Sequence, residues 1–460
     1  MKCFSLFLLI SIILLSCKTS KSAKTIATSP STDTGVAIAP AKSDTVSAVA
    51  EIKNPVQPVI NNSKTDVFLE DLLKSGPENF NNIISNRDSF KVQIIYTRID
   101  RQADNNPVFK SYFFNVNHDT YFYPASTVKM PVALMALQRL NELKVFGLNR
   151  YSSMITESSY GGQTSVYNDP TTPDGRPSIT QYIKKIFLAS DNDAFNRLYE
   201  FLGQQYINER LHGMGYENAE ILHRLDISLT EDENRHCNPV KFFSESGKSL
   251  YSQPMQVSEL VYLLRNDSVG KGYLTGEKLT NSPMTFSNKN RLGLEDLTGI
   301  LKSILFPAMV PVKQRFNLKA EDYRFIYQFM SQFPGESLYP SYDSSSYPDA
   351  YLKFLLYGSE KDSLPKNIRI FNKSGNAYGF LTDVAYIADF DKNIEFMLSA
   401  TIYCNGDGIL NDDNYDYDTV GFPFMKELGK LIYEYELKRE RTHRPDLSSF
   451  KMIYDKKGEE

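Results

Sequence analysis

The spacing of hydrophobic residues changes twice along this chain, and the two changes outline its fold. Near the beginning, Val92, Ile94 and Tyr96 alternate with polar residues, which predicts a half-buried strand. A turn signal at 104–107 follows, and residues 111–116 are predicted to return beside that strand. The same alternation appears near the end of the chain, where strands are predicted over 368–371, 384–390 and 394–403.

Between these ends the hydrophobic period is helical. Ile179, Ile183 and Ile186 recur along one predicted helix face. The order of strands, many helices, strands and a last helix predicts an α+β fold. An antiparallel sheet from both chain ends would form an α/β sandwich lobe, with an all-α lobe inserted at about 126–364. Further helices are predicted over 257–264, 294–305, 320–333 and 424–435.

The most apolar of these helices begins near Ser126. Residues 131–143 are dense in Val, Ala, Leu and Met, and a helix that is apolar on nearly every side is buried. Ser126 and Lys129 are three residues apart and share a face of its first turn. A serine attacks carbonyl carbon when a base takes its proton, and a buried lysine can be that base because burial lowers its pKa. The alternative is a helix-capping serine followed by a surface lysine.

The first residues predict secretion. Lys2 precedes an apolar run, Phe4–Leu15, that is too short to remain across a bilayer. The run ends in Leu14-Leu15-Ser16-Cys17, which resembles the bacterial lipobox, and this resemblance implies removal of a signal peptide, 1–16, and lipidation of Cys17. An ordinary cleaved signal and a chance cysteine are the alternatives. We expect a lipid-anchored protein of the bacterial cell envelope, periplasmic or at the cell surface.

Composition divides the rest of the chain into three parts. Residues 17–65 are rich in Ser, Thr, Ala, Lys and Pro and contain no aromatic residue, which predicts a disordered tether. Residues 66–438 are predicted to be the folded domain, and 439–460 a charged tail.

The remaining composition narrows the classes of function. A net charge of −4 gives no indication of nucleic-acid binding. The five histidines show no metal-ligand spacing, so neither a metal nor a cofactor is expected. Cys237 and Cys404 are interpreted as two unpaired thiols.

Two later motifs strengthen the functional interpretation of Ser126 and Lys129. The first is Ser190-Asp191-Asn192, which by itself is also a good helix cap. The second is Lys373-Ser374-Gly375, at the end of a predicted strand, which by itself is also a common turn. In this order the three motifs resemble the set S-x-x-K, S-D-N and K-[ST]-G of class A β-lactamases and penicillin-binding proteins. The resemblance extends to Thr382-Asp383-Val384-Ala385 and covers about residues 67–438.

The resemblance implies a role for each motif residue. Ser126 would be the nucleophile, Lys129 its base or electrostatic partner, and Ser190 the group that passes a proton to the leaving nitrogen. Asn192 would bind the substrate's side-chain amide, while Lys373 and Ser374, beside Gly375, would bind its carboxylate. The backbone N–H groups of Ser126 and Asn376 would form the oxyanion hole.

One segment departs from the class A pattern. Class A enzymes carry R-x-E-x-x-L-N, whose glutamate activates the water that removes the acyl group. The corresponding stretch here is 224–230, in which Asp226 stands for the glutamate and Thr230 for the final asparagine. The other acids considered for this role are Glu231 and Glu233, and the alternative is that all three are solvated loop charges.

These observations predict a serine hydrolase that forms an acyl-enzyme at Ser126. The preferred activity is hydrolysis of β-lactams. One alternative is a cell-wall D,D-peptidase or esterase of the same fold, and another is a binding lipoprotein with little turnover. The expected partners are a small β-lactam or cell-wall peptide and, through the lipid, a membrane.

Overall fold

The computed structural model describes residues 63–262 and 265–455. Signal peptide 1–16, Cys17 and the tether up to residue 62 lie outside the described residues. The helices, in chain order, are α1 (Val67–Lys74), α2 (Glu78–Ser85), α3 (Lys129–Leu143), α4 (Ile179–Ala189), α5 (Asn192–Leu202), α6 (Gln204–Gly213), α7 (Glu231–Arg235), α8 (Leu294–Leu305), α9 (Ala320–Ser331), α10 (Phe354–Tyr357) and α11 (Phe422–Lys438).

The strands divide into long ones at both chain ends and short ones between them. They are β1 (Gln93–Arg101), β2 (Pro107–Phe114), β3 (Ser153–Thr156), β4 (His236–Cys237), β5 (Val240–Phe243), β6 (Ser249–Gln253), β7 (Gln256–Val257), β8 (Ser268–Val269), β9 (Gly272–Thr275), β10 (Lys278–Thr280), β11 (Met284–Thr285), β12 (Ile368–Ala377), β13 (Phe380–Asp389), β14 (Ile394–Tyr403) and β15 (Ile409–Leu410).

The long strands form one five-stranded antiparallel sheet in the order β12-β13-β14-β1-β2. Strand β1 pairs with β14, so the two ends of the chain meet in the middle of the sheet, with Gln93 opposite Thr401. This arrangement confirms the predicted α+β fold. Strand β12, which carries Lys373, lies at one edge of the sheet.

The sheet has a buried core on each face because successive side chains on a strand point to opposite sides. Phe371 and Tyr386 belong to the core shared with the helical region, which includes α3 and α8. Ile370 and Ile387 belong to the other core, beneath α1, α2 and α11. Lys373 therefore faces the helical region, as Phe371 does.

The region predicted as an all-α lobe is not entirely helical. Short strands β3 to β11 lie within it, between residues 153 and 285. In β5, Val240 and Phe242 are buried while their neighbours are partly exposed, which is the alternation of a strand. The sequence analysis did not predict these strands because they are too short to give a period.

The helix predicted over 257–264 is absent from the described part of that range. Residues 258–262 have no regular structure, and Val261 is 95% exposed. The guanidinium of Arg235 donates to the carbonyl oxygens of Ser258, at 3.2 Å, and Leu260, at 2.8 Å. Those carbonyls are thus bonded from outside the segment, and the side chains of Val257 and Val261 are exposed rather than packed in a core.

Both predicted boundaries of the folded domain shift outward. Before residue 66, the backbone of Lys64 exchanges two hydrogen bonds with Val116, at 2.8 and 3.0 Å. After residue 438, Leu447 and Phe450 are buried against the sheet, and the ring of Phe450 lies 4.8 Å from that of Tyr386. The tail from residue 439 was predicted from its charge content, which gave no indication that Leu447 and Phe450 are buried.

Candidate active site

The site begins where a 3₁₀ turn, Ala125–Val128, leads into α3. Ser126 is partly exposed on this turn, whereas Lys129, the first residue of α3, is fully buried. Ala125 has a positive φ of 47°, a conformation that side chains other than glycine rarely adopt. The apolar helix thus carries a lysine into the core while the serine stays accessible.

The amine of Lys129 is held by the second motif. It donates to Asn192 Oδ1 at 2.6 Å, to the carbonyl oxygen of Ser190, and to Ser190 Oγ at 3.2 Å. Burial lowers the pKa of Lys129 to about 7, although the charges of Asp191 and Asp226 oppose the shift. A substantial share of this amine is therefore neutral near neutral pH, as a base must be.

Two helix ends bring Ser190 and Asn192 to this amine. Helix α4 ends at Ala189, and Ser190 takes a left-handed conformation with φ 54° and ψ 37°. Asp191 then caps α5 by accepting a hydrogen bond from the backbone of Ala194 at 2.8 Å. The motif is thus a helix cap at Asp191 and a lysine-binding turn at its other two residues.

Lys373 completes the arrangement from strand β12. Its buried amine donates to Ser190 Oγ at 2.9 Å and to the carbonyl oxygen of Ser374 at 2.6 Å. Burial, and then the charge of Lys129, hold the pKa of Lys373 well below its usual value, with Asp383 opposing. Two lysines thus meet at one hydroxyl, which can accept a proton from one amine and donate its own to the other.

Gly375 allows strand β12 to approach the nucleophile. A Cβ atom at this position would lie 2.5 Å from the backbone nitrogen of Ser126 and 3.0 Å from that of Thr127. Only glycine fits such a contact between two backbones. The third motif therefore contains glycine because the strand touches the start of the helix.

Ser374 does not face the two lysines. Its hydroxyl donates to the carbonyl oxygen of Leu352 at 2.9 Å, on the opposite side of the strand from Lys373. A carboxylate needs a donor, and this hydroxyl proton is already used. Asn376, two residues further on, is exposed and lines the cleft beside Ser126.

Asp226 lies on an anchored loop but is itself unanchored. Asn196 holds the backbone of Leu225 through two hydrogen bonds, at 2.8 and 2.9 Å, and Arg224 pairs with the buried Glu200 at 3.0 Å. Asp226 is exposed, has a φ of 56°, and makes no side-chain hydrogen bond to any residue that the structure describes. It acts on the site through its charge, which raises the pKa of Lys129.

The two neighbouring acids are engaged elsewhere. Glu233 accepts hydrogen bonds from the backbone and hydroxyl of Thr230, at 2.7 and 2.8 Å, and these bonds hold its pKa below its usual value. Glu231 pairs with Arg235 at 3.1 Å on the same short helix. Both carboxylates stabilise α7, and neither lines the cleft with Ser126.

The cleft that holds Ser126 has a volume of about 560 Å³. Ser190, Asn192 and Gly375 line one side, and much of the other side comes from residues 345–361. No residue of this second wall belongs to the three sequence motifs. One available signal was Lys353, a lysine in the apolar run of residues 351–357.

The described residues contain neither a cluster of metal ligands nor a membrane-spanning helix. Across residues 63–262 and 265–455, no three His, Cys, Asp or Glu side chains are grouped so that they could hold a metal ion. No helix in the same part of the chain combines the length and apolar character needed to cross a membrane. Cys237 and Cys404 are both buried and unpaired.

The chain resembles known proteins in one region of sequence and in its fold. Residues 78–271 match the sequence profile of the β-lactamase enzyme family. This segment is less than half of the chain; it contains Ser126, Ser190 and Asp226 and ends before Lys373. None of the curated proteins compared with the chain matches it.

Similar solved structures include several β-lactamases and PBP-A. A class A β-lactamase from Clostridium kluyveri is 14% identical, with a TM-score of 0.43, and the alignment covers 78% of this chain and 100% of that one. The TLA-1 extended-spectrum β-lactamase is 15% identical, with a TM-score of 0.44, and the alignment covers 80% of this chain and 99% of that one. PBP-A is 14% identical, with a TM-score of 0.44, and the alignment covers 81% of this chain and 97% of that one. TM-scores below 0.5 specify neither a substrate nor a reaction for this chain.

The profile match, the antiparallel sheet formed by both chain ends and the convergence of three motifs at one cleft agree with one another. Together they show a resemblance to the β-lactamase enzyme family, and the sequence match establishes it for residues 78–271.

Proposed function

We propose that this protein is a serine hydrolase that β-lactams acylate at Ser126, and that its activity is β-lactam hydrolysis. The observation that carries the proposal is the position of Lys129. Its amine is buried, has a pKa of about 7, lies one helical turn after Ser126, and contacts Ser190 Oγ at 3.2 Å. The proposed base and proton path are therefore in contact, and the proposed nucleophile lies one turn before the base.

The acylation step follows from this arrangement. Ser126 Oγ attacks the carbonyl carbon of the lactam, and its proton passes to the neutral amine of Lys129. The new ester bond forms as the carbon–nitrogen bond of the ring breaks. Ser190 Oγ, bonded to both lysines, delivers a proton to the leaving nitrogen and is reprotonated from Lys129.

Substrate binding is assigned to the groups around these atoms. Lys373 is assigned to the substrate carboxylate, whose negative charge would favour the protonated amine, and Asn192 supplies an amide for the substrate's own amide group. The backbone N–H groups of Ser126 and Asn376 are proposed as the oxyanion hole, because both residues line the cleft. Ser374 would have to release Leu352 before it could donate to the carboxylate.

The first experiment concerns the acyl-enzyme. The purified protein is incubated with a chromogenic cephalosporin, and intact mass and peptide mapping locate the adduct. We expect one adduct per chain, on Ser126, and none in Ser126→Ala. An adduct on Ser190, or equal labelling of Ser126→Ala, would show that the nucleophile is misassigned.

A second candidate function is a penicillin-binding protein or cell-wall D,D-peptidase, which forms the acyl-enzyme but releases a β-lactam slowly. The exposed and unbonded position of Asp226 favours it, because no described contact fixes this carboxylate where it could activate a water. Glu231 pairs with Arg235 and Glu233 accepts from Thr230, so neither carboxylate takes the place of Asp226.

Burst kinetics separate the two functions. If Asp226 is the base for deacylation, Asp226→Asn keeps the burst and lowers the steady rate about 10²–10⁴-fold. Asp226→Glu should keep or raise that rate. A stoichiometric burst with almost no steady rate in the unmodified protein would instead support the penicillin-binding function.

We also propose that a lipid on Cys17 anchors the protein to a membrane of the bacterial cell envelope, because the lipobox and the tether are adjacent in sequence. Cys17→Ser should move the protein from the membrane fraction to the soluble fraction. Identical fractionation of variant and unmodified protein would contradict the anchor.

A further inference from the structure

A buried lysine outside the three motifs lies behind the strand that carries Lys373. Lys353 is 2% exposed, and its amine donates to three oxygen atoms. These are the carbonyl oxygen of Met330 at 2.6 Å, the carbonyl oxygen of Ile370 at 2.9 Å, and Asn372 Oδ1 at 2.8 Å. All three N–H bonds of an ammonium group are thus used, and two of them end on β12.

The residues on either side of Lys373 are bound to the same segment. Asn372 Nδ2 donates to the carbonyl oxygen of Leu352 at 2.6 Å, and Ser374 Oγ donates to the same oxygen at 2.9 Å. Asn372 Nδ2 also donates to Asp383 at 2.8 Å, and Asp383 accepts from the backbone of Leu355 at 3.0 Å. This set of bonds, which we name the back clamp, joins residues 352–355 to β12 and β13.

The back clamp determines the direction of Lys373 because neighbouring residues on a strand point to opposite faces. Asn372 and Ser374 are both held toward Leu352, and Ser374 and Leu352 also line the cleft with Ser126. Lys373, between them, must therefore point to the opposite face, where its amine reaches Ser190 Oγ at 2.9 Å. Strand β12 is an edge strand, so no second neighbouring strand would hold it there.

We propose that Lys353 is a positioning residue for Lys373, acting through Asn372, Leu352 and Ser374. This inference rests on the proposed function, in which Lys373 binds the carboxylate of the substrate. Lys353 does not touch the substrate. Loosening the back clamp lets β12 and Lys373 shift, and binding of an anionic acyl donor weakens more than the chemistry at Ser126.

The experiment compares a chromogenic cephalosporin that carries a carboxylate with its methyl ester, which has the same lactam and chromophore. In Lys353→Met we expect kcat/KM for the acid to fall about tenfold, mainly through KM, and that for the ester to fall less than threefold. The control is Lys184→Met, which removes a half-buried lysine that donates to the carbonyl of Tyr339 far from β12 in sequence. Lys184→Met should change kcat/KM for neither the acid nor the ester.

A second, less disruptive variant tests the same proposal if Lys353→Met does not fold. Asn372→Ala removes the central link of the back clamp without adding bulk. In this variant, too, kcat/KM should fall more for the acid than for the ester. Equal losses for acid and ester in both variants, or no loss, would overturn the role of Lys353. If the unmodified protein reacts with neither compound, the proposed function fails instead, so the two failures can be distinguished.

Discussion

Gly375 and Ser126 touch through their backbones, and a Cβ atom on Gly375 would lie 2.5 Å from the nitrogen of Ser126. Strand β12 and the 3₁₀ turn therefore meet without an intervening side chain. The nucleophile, its N–H group and the strand that carries Lys373 share one rigid contact. A small change at this contact should alter the chemistry before it alters the fold.

Gly375→Ala is expected to lower the rate of acylation about 10²-fold, because displacing a reacting group by about 1 Å costs that much. Stopped-flow measurement with a chromogenic cephalosporin tests this. Gly213→Ala is the control, since a Cβ atom at Gly213 meets nothing within 4 Å. Unchanged acylation in Gly375→Ala would show that the backbones separate freely.

The pH dependence of acylation should report Lys129. Its pKa of about 7 lies below the usual value of 10.5, so the neutral, basic form increases as the pH rises through 7. We expect the acylation rate to rise over pH 6–8 and then level off. Lys129→Arg should be slow at every pH, because arginine stays protonated. A flat profile in the unmodified protein would exclude Lys129 as the base.

Ser190→Gly should separate the hydroxyl of Ser190 from its backbone conformation. The φ of 54° suits glycine, so the turn that binds Lys129 is retained while the contact to both lysines is lost. Acylation is expected to fall about 10²–10⁴-fold. Asparagine also tolerates this φ, so Ser190→Asn is the matched variant, in which an amide replaces the hydroxyl. Full activity in Ser190→Gly would rule out proton transfer through this hydroxyl.

Glu200 should matter for stability more than for chemistry. It is buried between Arg197, at 2.9 Å, and Arg224, at 3.0 Å. Glu200→Gln leaves two buried cations without their shared carboxylate and should lower the free energy of unfolding by about 3–5 kcal/mol. Urea denaturation measures this, with the surface variant Glu209→Gln expected to change it by less than about 0.5 kcal/mol. Equal stability of the two variants would contradict the assignment.

Local order along the chain determined much of this protein. The alternation around Val92 and over 394–403 predicted strands that do pair in the central sheet, and the apolar run after Ser126 predicted a buried helix. Ser126, Lys129, Ser190, Asn192 and Lys373 were predicted from three short motifs. In the structure, Ser126, Ser190 and Asn192 line one cleft, and the buried amines of both lysines bond to Ser190 Oγ. These features depend on residues close in sequence, where periodicity and motif spacing are informative.

Tertiary structure alone decided which partner each side chain takes. Ser374 is adjacent to Lys373 in sequence but points away from it, to Leu352. Lys353, in an apolar run, lies behind β12 and bonds to Asn372, and the free position of Asp226 follows from the bonds that anchor its neighbours. These contacts join residues distant in sequence or on opposite faces of a strand. No local pattern encodes them, because a buried donor bonds to whichever acceptor the folded chain places beside it.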